Sequence, residues 1–286
     1  MNFSRRISLA LFTYVWLSAF LGSPAYSAKE MDPESPRWRF FTEKKDNFDI
    51  VFIGSSRIYH GISPRLFDHL ADADVHHWRS FNLGVDKMRS PGCLALAHEV
   101  AALRPRNLKY LFFELQSRPG GHASPQDDEV GSTTNVSNLN LAFTRVAFGG
   151  RAGLGPDGDG FNPLNKDMSA QMRPKYEARL RAARQKSQTR AADPTMRSEL
   201  TNLADELAAQ KIQLVFVVAP SLRSARGSGV DAPPGHLLFS FDDLQEYAPL
   251  YAEENRPDAE HLNARGAALF TRDLAEQFMR ALASSH

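Results

Sequence analysis

Three short, nearly unbroken apolar runs constrain this chain more than any other feature: residues 49–53 (DIVFI), 109–115 (KYLFFEL) and 212–218 (IQLVFVV). Each has the length of a strand and lacks the polar alternation of a strand with one wet face, so each needs cover on both sides. Strands of that kind belong to parallel sheets, whose crossover connections lay helices over both faces. The intervening sequence supplies those helices. Ser63-Pro64 reads as N-cap and first position of a helix through Leu70, and residues 80–83 as a short strand. Ser90-Pro91 caps a helix in which Leu94, Ala97, Ala101 and Leu103 keep helical spacing, and Asp193-Pro194 opens one with Leu200, Leu203 and Leu207 on one face. Asn263 caps a last helix in which Phe270, Leu274 and Phe278 recur every four residues. The expected fold is α/β, a three-layer sandwich around a central parallel sheet.

The first 27 residues stand outside that fold. Arg5 and Arg6 precede a mostly apolar run over residues 7–22, and Ala25-Tyr26-Ser27 offers the small residues that a signal peptidase reads, which predicts a signal peptide cleaved after Ser27. An uncleaved N-terminal anchor is the competing reading, because the run falls just short of the roughly 20 residues that span a bilayer. Both readings predict an exported protein, periplasmic or otherwise extracytoplasmic. Losing Arg5 and Arg6 moves the formal charge from +1 to −1, too little bulk charge to hold a nucleic acid. The single cysteine, Cys93, excludes an internal disulfide framework and any multi-cysteine metal site, and in its helix it reads as a small buried thiol.

Residues 118–192 interrupt the rhythm of strands and helices and read as an irregular basic insertion into a single domain over residues 28–286. Residues 149–160 are rich in glycine, and residues 173–190 hold seven Lys and Arg against one Glu. Such a stretch is a solvated loop or helix face, or else a patch for an acidic polymer or anionic headgroups. Gly153 to Gly158 matches G-x-G-x-x-G in letter only, since no strand precedes it and Pro156 lies inside it. Asp157, Asp159 and Asn162 lack the glycine and distant glutamate of a calcium loop, so no metal site is expected. Asn135-Val136-Ser137 is a sequon whose use depends on the host.

Two chemistry-bearing segments lie at opposite ends of the chain. Gly54-Ser55-Ser56-Arg57 directly follows the first apolar run, where a turn into a helix aims backbone N–H groups at an incoming oxyanion. A serine there needs an oriented base. Asp258-Ala259-Glu260-His261-Leu262-Asn263 supplies one, because a three-residue offset lets a single turn present a carboxylate and an imidazole together. Ser56 and Ser55 are rival nucleophiles. Residues 239–251 (FSFDDLQEYAPLY) are either a wall of the substrate groove or a loop pinned by its aromatics.

Together with Phe81-Asn82-Leu83-Gly84 after the second strand, these segments resemble the SGNH (GDSL-like) hydrolase superfamily, most closely its exported branch, which carries Gly-Ser-Ser and ends in D-x-x-H-L-N-x-x-G. That branch is similar to the proteins of alginate O-acetylation and of D-alanine transfer to teichoic acids. The resemblance covers residues 49–115 and 212–282, and implies an SGNH hydrolase fold of flavodoxin-like type. Position by position it makes Ser56 the nucleophile, His261 the base and Asp258 its orienter, with the Ser56 and Gly84 N–H groups as oxyanion donors. The family's third block, Gly-x-Asn-Asp, is replaced here by Phe113-Glu114-Leu115-Gln116, so Gln116 is the candidate for a third donor, whereas a Glu114 carboxylate would oppose an oxyanion. Arg57, His60 and Asn82 are candidates for substrate contact.

The resemblance implies a serine esterase or O-acyltransferase acting without a cofactor on small acyl esters, acetyl foremost, of a cell-surface polysaccharide, with a membrane-bound O-acyltransferase as a donor partner. The competing expectation is a non-catalytic envelope protein that keeps the fold and holds an anionic glycan through residues 173–190.

Overall fold

The structure is a computed structural model that describes residues 35–72, 77–116, 154–155, 158–185, 194–222 and 232–284. The readings of residues 1–27, of the sequon at Asn135 and of most of residues 118–157 lie outside these.

In chain order the described elements are α1 (Pro36–Lys44), β1 (Ile50–Ile53), α2 (Ser56–Tyr59), α3 (Pro64–Ala71), β2 (Ser80–Asn82), α4 (Ser90–Ala102), β3 (Tyr110–Glu114), α5 (Arg173–Gln185), α6 (Pro194–Ala208), β4 (Gln213–Val218), β5 (Leu237–Ser240) and α7 (Ala264–Ser284), with short 3-10 turns at Lys45–Asn47, Ala248–Tyr251 and Glu253–Asn255. The five strands form one sheet in the order β2-β1-β3-β4-β5, and every pairing is parallel. The expected α/β architecture is therefore present.

The apolar runs bury both faces because strand side chains alternate. Val51, Ile53, Leu111, Phe113, Leu214 and Phe216 join one core with Trp38 and Phe41 of α1, Leu94 and Ala97 of α4, and Leu200, Leu203 and Leu207 of α6. Ile50, Phe52, Phe112, Val215 and Val217 join the other with Phe67 of α3, Tyr176 of α5, and Phe270, Leu274 and Phe278 of α7. The caps explain where several helices begin. The Ser63 hydroxyl accepts from Leu66 N–H at 3.4 Å, and Asn263 Oδ1 accepts from the Arg265 and Gly266 amides at 3.1 Å each. Ser90 differs from expectation: it is the first residue of α4 after Arg89, and its hydroxyl points to Met196 Sδ at 3.8 Å rather than capping.

One further expectation is corrected. Part of the insertion is regular, since residues 173–185 form α5, anchored by Tyr176 whose hydroxyl donates to Tyr251 O at 2.5 Å. Residues 239–251 are pinned by their aromatics: they include the end of β5, and Phe241 is fully buried, its ring 4.9 Å from that of Phe270.

The chain lays β2 on one side of β1 and then returns to place β3 on the other. The carboxyl ends of β1 and β3 thus flank a switch point, where open α/β sheets form a crevice.

Candidate active site

Ser56 is the first residue of α2, three residues beyond the end of β1. The turn is set by its neighbour: Ser55 is the N-cap, its hydroxyl accepting from Arg57 N–H at 3.2 Å and Arg57 Nε at 3.4 Å. That use of the Ser55 hydroxyl, with Ser55 buried, leaves Ser56 as the serine that meets the histidine. Ser56 Oγ lies 2.8 Å from His261 Nε2 across 205 residues of sequence.

The base is held from behind. His261 Nδ1 is 3.0 Å from each Asp258 carboxylate oxygen, and Asp258 Oδ1 also accepts from the Glu260 and His261 amides at 2.8 and 2.9 Å. An ionised carboxylate only accepts, so Nδ1 carries the proton and Nε2 is left to accept from the serine hydroxyl. Burial pushes the Asp258 carboxyl up, but the His261 hydrogen bond and charge and the two amides outweigh it and hold it down at about 2. The turn itself is fastened by Arg256, which is fully buried and has no carboxylate partner among the described residues. Its guanidinium donates to the carbonyls of Leu250 (2.8 Å), Ala259 (3.1 Å), Asp258 (3.2 Å) and Pro220 (3.2 Å).

A second buried network underpins the nucleophile. The Ser55 amide donates to Glu114 Oε2 at 2.6 Å, Arg57 Nε lies 2.7 Å from Glu114 Oε1, and Arg57 Nη1 donates to Ser221 Oγ at 3.0 Å. Glu114, at the end of β3, thus ties the nucleophile turn to the neighbouring strand. Arg57 is a member of this network, its side chain 11% exposed.

The oxyanion side is arranged differently. The Ser56 amide, in the first turn of its helix, makes no hydrogen bond among the described residues, as expected of an orphan N–H at a helix start. The Gly84 amide, by contrast, donates to Asn82 Oδ1 at 2.8 Å, and Asn82 Nδ2 donates to Ile58 O (2.8 Å) and Ile62 O (2.7 Å). Asn82 is wholly buried and spends its amide on this latch between β2 and α2, so it does not reach a substrate. The carbonyl of Gly84 accepts from Arg37, a buried arginine of α1 whose guanidinium also covers the Tyr59 ring at 4.5 Å from its centroid. Burial brings Arg37 down to about 10, against the attraction of Tyr59 and Asp86, so it is cationic at neutral pH. Gly84 must be glycine, because a Cβ there would collide with the Tyr59 backbone nitrogen. Gln116 faces inward, its amide 3.2 Å from Glu114 Oε2, 3.3 Å from Cys93 Sγ and 3.4 Å from Met88 O. It therefore does not extend the oxyanion donors. Cys93 is the buried thiol expected, pushed well up by burial and by Glu114.

His60 stands one helical turn beyond Ser56, its ring centroid 6.0 Å from that of His261. Its Nδ1 lies 2.5 Å from Asn162 O and its Nε2 3.2 Å from Asp86 Oδ1. Asn162 belongs to a strap over residues 158–167 that crosses both halves of the site. Asp159 O accepts from Asn82 N–H at 2.9 Å, Leu164 O accepts from Ala264 N–H at 3.0 Å, and Asp167 accepts from Asn263 and Arg265 at 3.1 Å each. Gly160, with φ of 87°, lets the strap pass against the Asn82 carbonyl where any Cβ would overlap it.

Sequence reasoning did not place Arg256, Arg37, Asp86 or the strap in the site, and it took Glu114 only as a carboxylate that opposes an oxyanion. Arg37 carried one signal, sharing a helix face with Phe41 four residues on. No group of three or more His, Cys, Asp or Glu poised to hold a metal occurs among the described residues, and none of their helices is long and apolar enough to cross a membrane. No protein-family model, curated protein or solved structure matches the chain.

Proposed function

We propose that this protein is an exported SGNH-like serine esterase or O-acyltransferase acting on small acyl esters, acetyl foremost, of a cell-surface or extracellular polysaccharide. The observation that carries the reading is the hydrogen-bonded row of Ser56 Oγ, His261 and the Asp258 carboxylate, at 2.8 and 3.0 Å, drawn from two ends of the chain to the carboxyl end of β1. The strand order supports it too, being that of flavodoxin-like sheets, the type to which the resemblance assigns the SGNH hydrolases. The arginines, apolar run and small residues of the first 27 positions support export.

In this reaction His261 Nε2 takes the Ser56 proton as Oγ attacks the acyl carbonyl, and Asp258 stabilises the imidazolium that forms. The Ser56 amide donates to the developing oxyanion. Collapse of the tetrahedral intermediate expels the alcohol, which takes the proton from His261, and leaves the acyl group on Ser56. Water or a sugar hydroxyl then attacks, with the same proton path in reverse. A membrane-bound O-acyltransferase is the proposed donor partner where the second acceptor is a sugar. The test is turnover of a chromogenic acetyl ester by the exported domain: loss in both Ser56→Ala and His261→Ala supports the reading, and equal activity in all three proteins sinks it.

The second reading, a non-catalytic envelope protein that holds an anionic glycan, draws on one observation: Lys175, Arg181 and Arg184 of α5 are exposed. Loss of glycan retention on neutralising Arg179, Arg181 and Arg184, with ester turnover absent throughout, would favour it.

A further inference from the structure

Beside the serine and histidine stands a histidine–aspartate pair that the proposed chemistry does not use. His60 is buried, with 8% of its side chain exposed, while 49% of the Asp86 side chain is exposed. The His60 ring is held between two acceptors, Asn162 O at Nδ1 and the Asp86 carboxylate at Nε2, and so fixes Asp86 in place. The His60 hydrogen bond, and the charges of His60, His261 and Lys87, hold the Asp86 carboxyl below the usual carboxylate range despite partial burial.

Only Oδ1 of Asp86 is engaged by His60. Oδ2 makes no hydrogen bond among the described residues, on a half-exposed carboxylate 3.2 Å from His60, whose ring centroid lies 6.0 Å from that of His261. A fixed anionic acceptor in that place suits a ligand that brings a donor, and the second step of an acyl transfer brings one. The attacking hydroxyl must lie against His261 Nε2, which leaves any second hydroxyl of the acceptor close by. Water and simple alcohols have no second hydroxyl to offer, and an anionic acceptor would meet Asp86 as a like charge.

We propose that Asp86, oriented by His60, is a specificity-determining residue that accepts a hydrogen bond from a second hydroxyl of a neutral polyol acceptor and so favours transfer to sugar over hydrolysis. The inference rests on the proposed serine chemistry. In the step concerned, the acceptor oxygen forms a bond to the acyl carbon, its proton passes to His261 Nε2, the bond from Ser56 Oγ to the acyl carbon breaks, and the proton returns to Ser56 Oγ.

The experiment uses the exported domain with a chromogenic acetyl ester as donor and either a neutral methyl hexopyranoside or methanol as acceptor. It measures the ratio of acetylated acceptor to free acetate. A charge-assisted hydrogen bond is worth enough that Asp86→Ala is expected to lower the glycoside ratio about tenfold, with the methanol ratio moving by less than about twofold. Asp86→Asn, which keeps shape and an accepting oxygen but loses the charge, is expected to fall between, and it serves as the test if the alanine variant folds poorly. A glycoside ratio indifferent to both substitutions, or glycoside and methanol ratios falling together, overturns the inference. Those outcomes require turnover, and so are distinct from a wild-type protein that turns over no ester, which overturns the serine chemistry and this inference with it.

Discussion

The two halves of the site are prepared to different degrees. On the base side every group is committed: Asp258 is fixed by two amides and the imidazole, and Arg256 fastens the turn through four carbonyls. On the oxyanion side the Ser56 amide is the donor without a partner among the described residues, while the Gly84 amide is bound to Asn82 and the Gln116 amide turns inward. Removing one oxyanion donor typically costs about 10² to 10³ in rate, so the difference is mechanistically large. A serine already aligned with its base beside a thinly furnished oxyanion hole predicts a protein that is acylated by an activated ester yet is a slow general esterase.

The largest effect should come from the base side. Ser56→Ala and His261→Ala are each expected to lower kcat/KM for a chromogenic acetyl ester by about 10³-fold or more, and Ser55→Ala by far less, because Ser55 serves as a cap. A Ser55→Ala loss as deep as that of Ser56→Ala would break the assignment. Asp258→Asn retains the shape of the acid but not its charge, and an expected loss of about 10²- to 10⁴-fold in kcat would show that the His261 tautomer is set from behind.

Next in size are the fastenings. Arg256→Met would leave four carbonyls without their donor, two of them in the His261 turn, and is expected to lower unfolding stability in denaturant by about 2 to 4 kcal/mol. Asn82→Ala would strip the latch on the other side by a similar amount. It also frees the Gly84 amide, so a rise in acylation rate for the folded fraction would sharpen the comparison by showing that the latch withholds a donor. The smallest effect concerns acid. Because the Asp258 carboxyl is held down at about 2 against an ordinary 3.8, its contribution to stability is complete above pH 4 and lost as pH falls through 2. Asp258→Asn should flatten the stability profile in that window, lying below the wild type by a constant amount near neutrality and converging with it in acid.

The sheet was legible because its strands announce themselves. Unbroken runs such as IQLVFVV can be satisfied only by burial on two faces, and Pro at the first helical position marks where α3 and α6 start. β5 was missed because Leu237–Ser240 is a short edge strand with an exposed leucine, a pattern no different from a loop. The Ser56, His261 and Asp258 row was legible because serine after a strand and Asp-x-x-His are local patterns whose geometry a single turn fixes. The groups that fasten it were not, since each works across the chain. Arg256 reaches Pro220 across 36 residues and Glu114 reaches Ser55 across 59, and neither lies in a periodic pattern. The Gly84 assignment went astray for a related reason: whether a backbone amide is available depends on what its neighbours bind, and Asn82 was read as a substrate contact rather than as the partner of that amide.

The account turns on Ser56 becoming acylated. Rapid quench of the exported domain with a chromogenic acetyl ester, followed by intact mass and peptide mapping, reads this directly. One acetyl group on the peptide carrying Ser56, formed within the burst of released chromophore and absent from Ser56→Ala, is the predicted result; no acylated protein at any time, or an acetyl group on Ser55, would contradict it.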